Sequence, residues 1–247
     1  MFGSSRNRYR FYPGERGTGA RILGFVKVLL ILFLLYEIVS TFLLTTYVVE
    51  SRSMAPGLEP GDRVVVSPLP VGAHMPLFNA RAPALGELRR GDLVVVRAPY
   101  AQDTSRLLQP VRSAVRFFTG RRGGQRAEDW RPEVSLRRIV GLPGDAVRME
   151  DFIFYLRPAA ATTFRSEFEA AGIRYPLRRN DAPASWEEAL PFSAAMEATA
   201  VPEDSYFLAT DNRTAGLDSR HRGAVPAEAV RARVVLRYWP LSRFGRP

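Results

Sequence analysis

Three glycine–aspartate dipeptides in this chain each stand directly before a short run that is rich in apolar, mostly β-branched residues. The dipeptides are Gly61-Asp62, Gly91-Asp92 and Gly144-Asp145, and the runs that follow are residues 63–66, 93–96 and 146–149. A turn dipeptide before such a run is typical of a chain that reverses into a β-strand. Further strands are predicted at 152–156, 205–209 and 230–238. Because no long helical pattern alternates with these strands, the sequence predicts a mostly β domain.

The N-terminal part of the chain contains a long apolar segment, residues 28–49, which is interrupted by Glu37 and a few hydroxyl side chains. As a helix it would rise about 33 Å, enough to cross a hydrocarbon core of about 30 Å. A cleavable signal peptide is the alternative, but its apolar part is only about 7–15 residues long and precedes a small-residue cleavage site. The sequence at 47–50, Tyr-Val-Val-Glu, does not suit such a site. We therefore predict one uncleaved N-terminal transmembrane helix over 28–49.

Positive charge is concentrated ahead of this apolar segment. Residues 1–27 hold six basic side chains and one acidic side chain, in a chain whose formal net charge is +10. Because positively charged flanks of membrane segments stay in the cytoplasm, residues 1–27 are predicted to be a basic cytoplasmic tail. Residues 50–247 would then be the extracytoplasmic domain of a single-pass protein of the inner (cytoplasmic) membrane. The tail suits anionic membrane lipid as a partner, and since no nucleic-acid motif is recognised, no nucleic-acid partner is expected.

Two segments interrupt the strand pattern of this domain. Residues 101–131 carry apolar residues at roughly helical spacing with arginines among them, which predicts an amphipathic helix, either on the membrane surface or packed on the domain. Residues 158–204 are rich in alanine and proline and are predicted to form an inserted, partly helical lobe without chemistry. The chain has no cysteine, which excludes disulfides and cysteine-ligated metal ions, and no metal and no cofactor are predicted.

The candidate chemistry is concentrated in three short blocks. They are Ser51-Arg52-Ser53-Met54-Ala55-Pro56 with Leu58, Gly61 and Asp62 after it, residues 137–145, and Asp211-Asn212-Arg213 with Asp218-Ser219-Arg220. In their residues and in their order along the chain, these blocks resemble the bacterial type I signal peptidases, or leader peptidases. These are membrane-anchored serine proteases that cleave export signals from preproteins. The matching stretches are spread from 48 to 241. The resemblance implies a signal-peptidase-type β fold.

The resemblance also implies that Ser53 is the nucleophile, that Ser51 helps to hold the oxyanion, and that the family's general base stands at position 137. Pro56 restricts Ala55 to extended geometry, so Ser53 is predicted to sit on a stiff, strand-like approach. The substrate would be the signal peptide of an exported preprotein. It would bind as an extended chain along strand edges and be selected by small residues before the cut.

Three residues of the third block are expected to support the site. Asp211, Asp218 and Arg220 would form a buried set of ion pairs and hydrogen bonds that holds the floor of the site, since the arginine fork suits carboxylates. In the second block, residues 141–145 would form the turn that leads out of the strand carrying position 137.

Position 137 holds arginine where the family has a lysine. A buried lysine can lose enough of its pKa to act as a base near neutral pH, whereas the pKa of arginine lies above 12 and deprotonation at pH 7 costs roughly 7–9 kcal/mol. Arg137 is therefore not a credible general base. Lys27, the only lysine, lies roughly one bilayer thickness away from Ser53. His221 in the third block is the possible surrogate base, because the unperturbed pKa of histidine is near 6.5; His74 lies in a loop and is the weaker candidate.

Other positions around the expected lysine also depart from the family. A serine that bonds the lysine is replaced by Gly216, a glycine by Thr210 and a threonine by Gly57. Codon bias could explain Arg137 alone, since the chain has a single lysine among its 35 basic residues. The clustered departures favour loss or redesign of the base. Two functions follow: a serine endopeptidase that processes preproteins, or a catalytically inactive paralogue that acts as a membrane-tethered binding protein.

Overall fold

The computed structural model describes residues 18–39, 43–72, 74–75, 80–97, 134–179, 194–214 and 217–247. In these ranges β-strands dominate, as predicted, and each of the six predicted strands is found with its ends within one residue of the prediction. The helices are α1 (Thr18–Ile38), α2 (Glu167–Ala171) and α3 (Ser219–Arg222). The strands are β1 (Thr45–Val48), β2 (Arg63–Ser67), β3 (His74–Met75), β4 (Ala80–Arg81), β5 (Leu93–Arg97), β6 (Val134–Gly141), β7 (Ala146–Glu150), β8 (Ile153–Arg157), β9 (Arg165–Ser166), β10 (Met196–Ala200), β11 (Ser205–Ala209), β12 (Val225–Pro226) and β13 (Val230–Trp239).

The larger sheet has seven antiparallel strands in the order β1-β2-β13-β5-β6-β11-β12. Both of its faces are covered near the centre, and β5 shows this directly. Leu93 and Val95 pack into one apolar cluster, while Val94 and Val96 pack into another on the opposite face. A strand buried on both faces must be apolar throughout, which is why residues 93–96 form an unbroken apolar run.

The smaller sheet has four strands in the order β10-β7-β8-β9 and shares a third apolar cluster with β6 and β11. The predicted turn at 141–145 joins the two sheets. Gly144 adopts φ = +79°, a conformation that favours glycine. Gly141 has no room for a side chain, because an added Cβ would lie 2.7 Å from Val147 Cγ2. The glycines of the second block therefore serve the join between the sheets.

The segment 158–204, predicted as an inserted and partly helical lobe, contains strands as well as a helix in its described part. In the described part of this segment, β9 and β10 are strands of the smaller sheet, and α2 follows β9 directly, starting from a capping box formed by Ser166 and Glu169. The segment is thus part of the sheet framework. Residues 180–193 of this lobe, and the whole of the helix predicted at 101–131, lie outside the described residues.

The structure differs from the predicted helix over 28–49 at both ends. The helix α1 starts earlier, at Thr18, and ends at Ile38, while Thr45–Val48 form the edge strand β1, paired with β2. The run Thr-Thr-Tyr-Val is apolar enough to extend a hydropathy window, yet its β-branched and aromatic residues suit a strand. Among the helices that the structure describes, none is both long and apolar enough to cross a membrane.

Candidate active site

The predicted nucleophile, Ser53, lies in a tight turn that follows β1. A main-chain clasp closes the loop that carries it: the Val49 N–H donates to the Asp62 carbonyl (2.7 Å), and the Gly61 N–H donates to the Val49 carbonyl (2.7 Å). Within the loop, Arg52–Met54 form one turn of 3-10 helix. Ala55 is extended, as predicted from the proline after it, but Ser53 lies in the 3-10 turn and not on the strand-like approach that was predicted.

Ser51 caps this turn. Its Oγ accepts a hydrogen bond from the Ser53 N–H at 3.1 Å. Met54 and Leu58 anchor the loop from below, since both side chains are buried in the same apolar cluster as Leu136 of β6. The serine turn is therefore fixed on both sides: its hydrophobic side chains enter the core, and Ser53 itself stays only half-buried.

The turn also docks on the third block. The Asn212 N–H donates to the Ser53 carbonyl at 3.0 Å, and Asn212 Nδ2 donates to the Arg52 carbonyl at 3.4 Å. Asn212 is itself buried. The structure thus brings the first and third blocks into direct contact through the main chain of the serine turn.

Asp211 pairs with Arg138, a contact that the sequence did not predict. Nε and Nη2 of Arg138 donate to the two carboxylate oxygens of Asp211 at 2.7 and 2.6 Å, and Nη1 donates to the Gly91 carbonyl at 2.7 Å. Both side chains of the pair are about 1% exposed. Burial alone would lower the pKa of Arg138, but the charge and hydrogen bonds of Asp211 outweigh it and raise that pKa. Gly57 lies against this pair, where an added Cβ would be 3.3 Å from Asp211 Oδ2.

Asp218 pairs with Arg220, which donates from Nε and Nη2 to the two carboxylate oxygens, both at 2.9 Å. The carboxylate also accepts the Thr210 N–H at 3.0 Å and lies 2.9 Å from Thr210 Oγ1. His221 Nδ1 lies 3.8 Å from Asp218 Oδ1. Burial would raise the pKa of Asp218, but the nearby His221 imidazole, the hydrogen bonds and charge of Arg220 and the Thr210 N–H together hold that pKa far below its ordinary range.

Arg137 lies on β6 opposite Val94 and is half-buried. Its Nη1 donates to the Leu136 carbonyl at 2.6 Å, and its Nη2 donates to the Leu217 carbonyl at 2.8 Å. The guanidinium therefore reaches the third block as a hydrogen-bond donor. Gly216, the residue next to this contact, lies outside the described residues.

The two other candidate bases lie in different places. His221 is on α3 and faces Asp218, which is linked to the serine turn through Thr210 and Asn212. His74 is on β3, in a two-stranded sheet with β4. Of the two, His221 belongs to the block that contacts the serine turn.

Sequence reasoning also missed a second buried ion pair at the site. Arg213 Nη2 donates to Glu167 at 2.5 Å, and neither side chain is more than 1% exposed. Glu167 lies in the segment that was predicted to hold no chemistry. The available signal was the capping box, Ser166 with Glu169 three residues later, which predicts a helix start there but does not reveal that Glu167 is buried.

The domain is mostly β, and the serine turn docks through Asn212 on the block that contributes Asp211 and Asp218 to two buried aspartate–arginine pairs. The chain belongs to the family described as signal peptidase, peptidase S26, whose sequence profile matches residues 22–239. The family prediction is thereby confirmed, and with it a signal peptidase-like class of function.

Individual relatives are distant but cover most of the chain. Signal peptidase I of Bacillus caldolyticus is 25% identical over 205 residues, which is 83% of this chain and 84% of that protein. Signal peptidase IB of Staphylococcus aureus is 22% identical over 227 residues, covering 90% and 92% of the two chains. Among solved structures, a signal peptidase I from Enterococcus faecalis is 19% identical, with a TM-score of 0.33 over 61% of this chain and 99% of that one.

Proposed function

We propose that this protein is a membrane-bound serine endopeptidase of the signal peptidase I type, which cleaves signal peptides from exported preproteins with Ser53 as the nucleophile. The observation that carries the proposal is the docking of the serine turn, whose carbonyl groups at Arg52 and Ser53 are held by Asn212 beside the buried Arg138–Asp211 pair. A nucleophile needs such fixed geometry to meet a scissile carbonyl.

In this proposal Ser53 Oγ attacks the carbonyl carbon of the scissile peptide bond and gives its proton to the base. The tetrahedral intermediate then breaks its C–N bond, the amine takes up that proton and leaves, and water hydrolyses the acyl-enzyme that remains. β1 is an edge strand of the larger sheet and leads into the serine turn. An extended signal-peptide segment that added to this edge by main-chain pairing would run toward Ser53. Asp211, Asp218 and Arg220 are assigned to supporting the site. For Ser51, the hydrogen bond from the Ser53 N–H supports capping of the serine turn, and a role at the oxyanion stays a prediction.

The proton of Ser53 needs an acceptor other than Arg137, because a guanidinium keeps its charge at neutral pH. His221 is the surrogate base that the proposal names, since imidazole is a suitable base at this pH and the side chain lies in the third block beside Asp218. Replacing His221 with asparagine should then abolish cleavage.

The proposal includes a membrane anchor in the N-terminal region, with residues 50–247 outside the cytoplasm. Large apolar side chains along α1 are exposed to solvent, among them Leu23 (70%), Phe25 (69%) and Ile22 (60%). Exposed apolar residues in such number fit contact with lipid, and the basic tail before them favours a cytoplasmic N-terminus. Carbonate extraction of membranes carrying the full chain, with protease added to spheroplasts, tests the anchor and its direction.

One observation favours a second function, that of a catalytically inactive, membrane-tethered protein that binds signal segments. Arg137 stands at the base position and donates hydrogen bonds to two carbonyl groups, Leu136 and Leu217, so its guanidinium is built into the site as a donor. A site arranged in this way could still hold an extended peptide.

A preprotein assay separates the two functions. The purified full-length protein in detergent is incubated with a labelled preprotein, next to the Ser53→Ala variant. Cleavage that disappears in Ser53→Ala supports the endopeptidase, whereas cleavage that persists rules out Ser53 as the nucleophile. No cleavage, together with saturable binding of a fluorescent signal peptide, supports the binding function.

A further inference from the structure

Glu167 is a buried carboxylate with three hydrogen-bond donors. It accepts from the Tyr175 hydroxyl at 2.5 Å, from Arg213 Nη2 at 2.5 Å and from the Phe154 N–H at 3.1 Å. Only 1% of the residue is exposed. A buried carboxylate is costly unless it is paired and hydrogen-bonded, so Glu167 holds its three partners in one arrangement.

Two of these partners lead directly to the third block. Arg213 belongs to that block, is fully buried and stacks its guanidinium 4.4 Å from the centre of the Phe154 ring. The Tyr175 ring lies 3.9 Å beneath the guanidinium of Arg138, the residue that pairs with Asp211. Glu167 is therefore linked to both ends of residues 211–213, through Arg213 on one side and through Tyr175 and Arg138 on the other.

The segment after α2 also contacts residues 211–213, through main-chain hydrogen bonds of Arg178. The Arg178 N–H donates to the Asp211 carbonyl at 3.0 Å, and the Arg213 N–H donates to the Arg178 carbonyl at 2.9 Å. Between these two bonds, the Asn212 N–H points the other way and donates to the Ser53 carbonyl. Residues 211–213 thus lie between the segment fixed by Glu167 and the serine turn.

We propose that Glu167 is a positioning residue of the site: by fixing Arg213 and Tyr175 it sets the main-chain position of Asn212, and through Asn212 the position of Ser53. Only the kinetic part of this inference rests on the proposed function, since the position of Asn212 can be measured whether or not the protein cleaves a substrate.

Amide hydrogen exchange on the full-length protein in detergent tests the inference. Glu167→Gln keeps the shape of the side chain but removes the charge that balances Arg213. Exchange at the Asn212 and Arg213 amides should accelerate about tenfold or more, the size expected for loss of one charge-assisted hydrogen bond. Amides of β5 in the larger sheet should exchange at the wild-type rate. Glu197→Gln is the matched control, because Glu197 is exposed on β10.

The kinetic measurement adds a readout that a purely stabilising role would not move. If the wild-type protein cleaves a preprotein, kcat of Glu167→Gln should fall about tenfold or more while KM stays within about twofold, because substrate binding does not depend on the exact position of Ser53. Absence of cleavage by the wild-type protein contradicts the proposed function and does not affect the exchange comparison.

Two results would overturn the positioning role. One is unchanged exchange at Asn212 and Arg213. The other is a uniform acceleration that includes β5, which would make Glu167 a general stabilising group. Should Glu167→Gln fail to fold, Tyr175→Phe replaces it, because it removes one donor to Glu167 and keeps the ring beneath Arg138. It should accelerate exchange at Asn212 and Arg213 several-fold, again without a change in β5.

Discussion

Arg137 and Arg138 are neighbours on β6, and successive side chains of a strand point to opposite faces. Arg138 is about 1% exposed and donates hydrogen bonds to both carboxylate oxygens of Asp211. Arg137 is half-buried and donates to two main-chain carbonyl groups. Arginine thus completes a buried ion pair at position 138, and at position 137 it lies where the proposed reaction would need a base.

The difference shows which demands arginine meets. Beneath the serine turn the site needs fixed charge and a planar fork of donors, and arginine supplies both to Asp211 and Asp218. If the proposed reaction uses position 137 as its base, it needs a group there that can accept and release a proton near neutral pH, and arginine cannot do this. Arginine therefore suits the two buried pairs, whereas at position 137 it does not suit the role of base that the proposed reaction needs.

The largest effect on stability is expected at Arg138, the buried one of the two neighbouring arginines. Arg138→Met removes the partner of Asp211 and leaves a buried carboxylate uncompensated, so the free energy of unfolding should fall by about 3–5 kcal/mol. Arg137→Met is the matched control, and it should cost only about 1 kcal/mol, since water can reach the carbonyls it leaves. Urea unfolding followed by tryptophan fluorescence measures both. Equal losses in the two variants would remove the distinction between the neighbours.

The second prediction concerns the base position. Arg137→Lys combined with Gly216→Ser introduces the lysine and the serine that the family resemblance implies at these positions. Preprotein cleavage should rise about 100-fold or more, the lower end of what general acid–base catalysis contributes. The same two changes in a Ser53→Ala background are the control and should give no cleavage. A folded double variant without any gain would show that the site lacks more than its base.

The third prediction extends the comparison to pH through the Asp218–Arg220 pair. Because the folded state holds the pKa of Asp218 below that of the unfolded chain, this carboxylate stabilises the protein above about pH 4 and loses that contribution as the pH falls. Between pH 4 and 2, Asp218→Asn should reduce the slope of unfolding free energy against pH by about 1.4 kcal/mol per pH unit. Asp151→Asn, whose side chain is 85% exposed, is the control. An unchanged acid slope in Asp218→Asn would contradict the depressed pKa.

Six strands of the two sheets could be predicted because each coincides with a run of β-branched or apolar residues, and three of these runs directly follow a glycine–aspartate turn. Both signals are local. β1 was missed because Thr45–Val48 lie at the end of a long apolar segment, and hydropathy does not separate a half-buried edge strand from a membrane segment. The serine turn and the third block could be located from their sequence motifs alone, but their contact through Asn212 depends on tertiary packing.

The partner of Asp211 could not be predicted for a similar reason. Arg138 lies opposite Ala209 in the pairing of β6 with β11, and only this register brings it to Asp211 two residues later. Glu167 is an extreme case, since a carboxylate in an alanine- and proline-rich stretch is ordinarily exposed. Its burial depends on the ion pair with Arg213, which is 46 residues away in sequence.

The smallest effect is expected at Ser51, which caps the serine turn. Its Oγ accepts the Ser53 N–H, a neutral hydrogen bond worth about 0.5–1.5 kcal/mol. If capping the turn is its role, Ser51→Ala should lower cleavage by about tenfold or less, measured in the Arg137→Lys, Gly216→Ser background if the native chain is inactive. Ser51→Thr, which keeps the acceptor, should retain activity. A loss of about 100–1,000-fold would instead match removal of an oxyanion donor. The Ser51 hydroxyl would then act on the reaction itself, and Ser51 would not belong with the residues that only support the site.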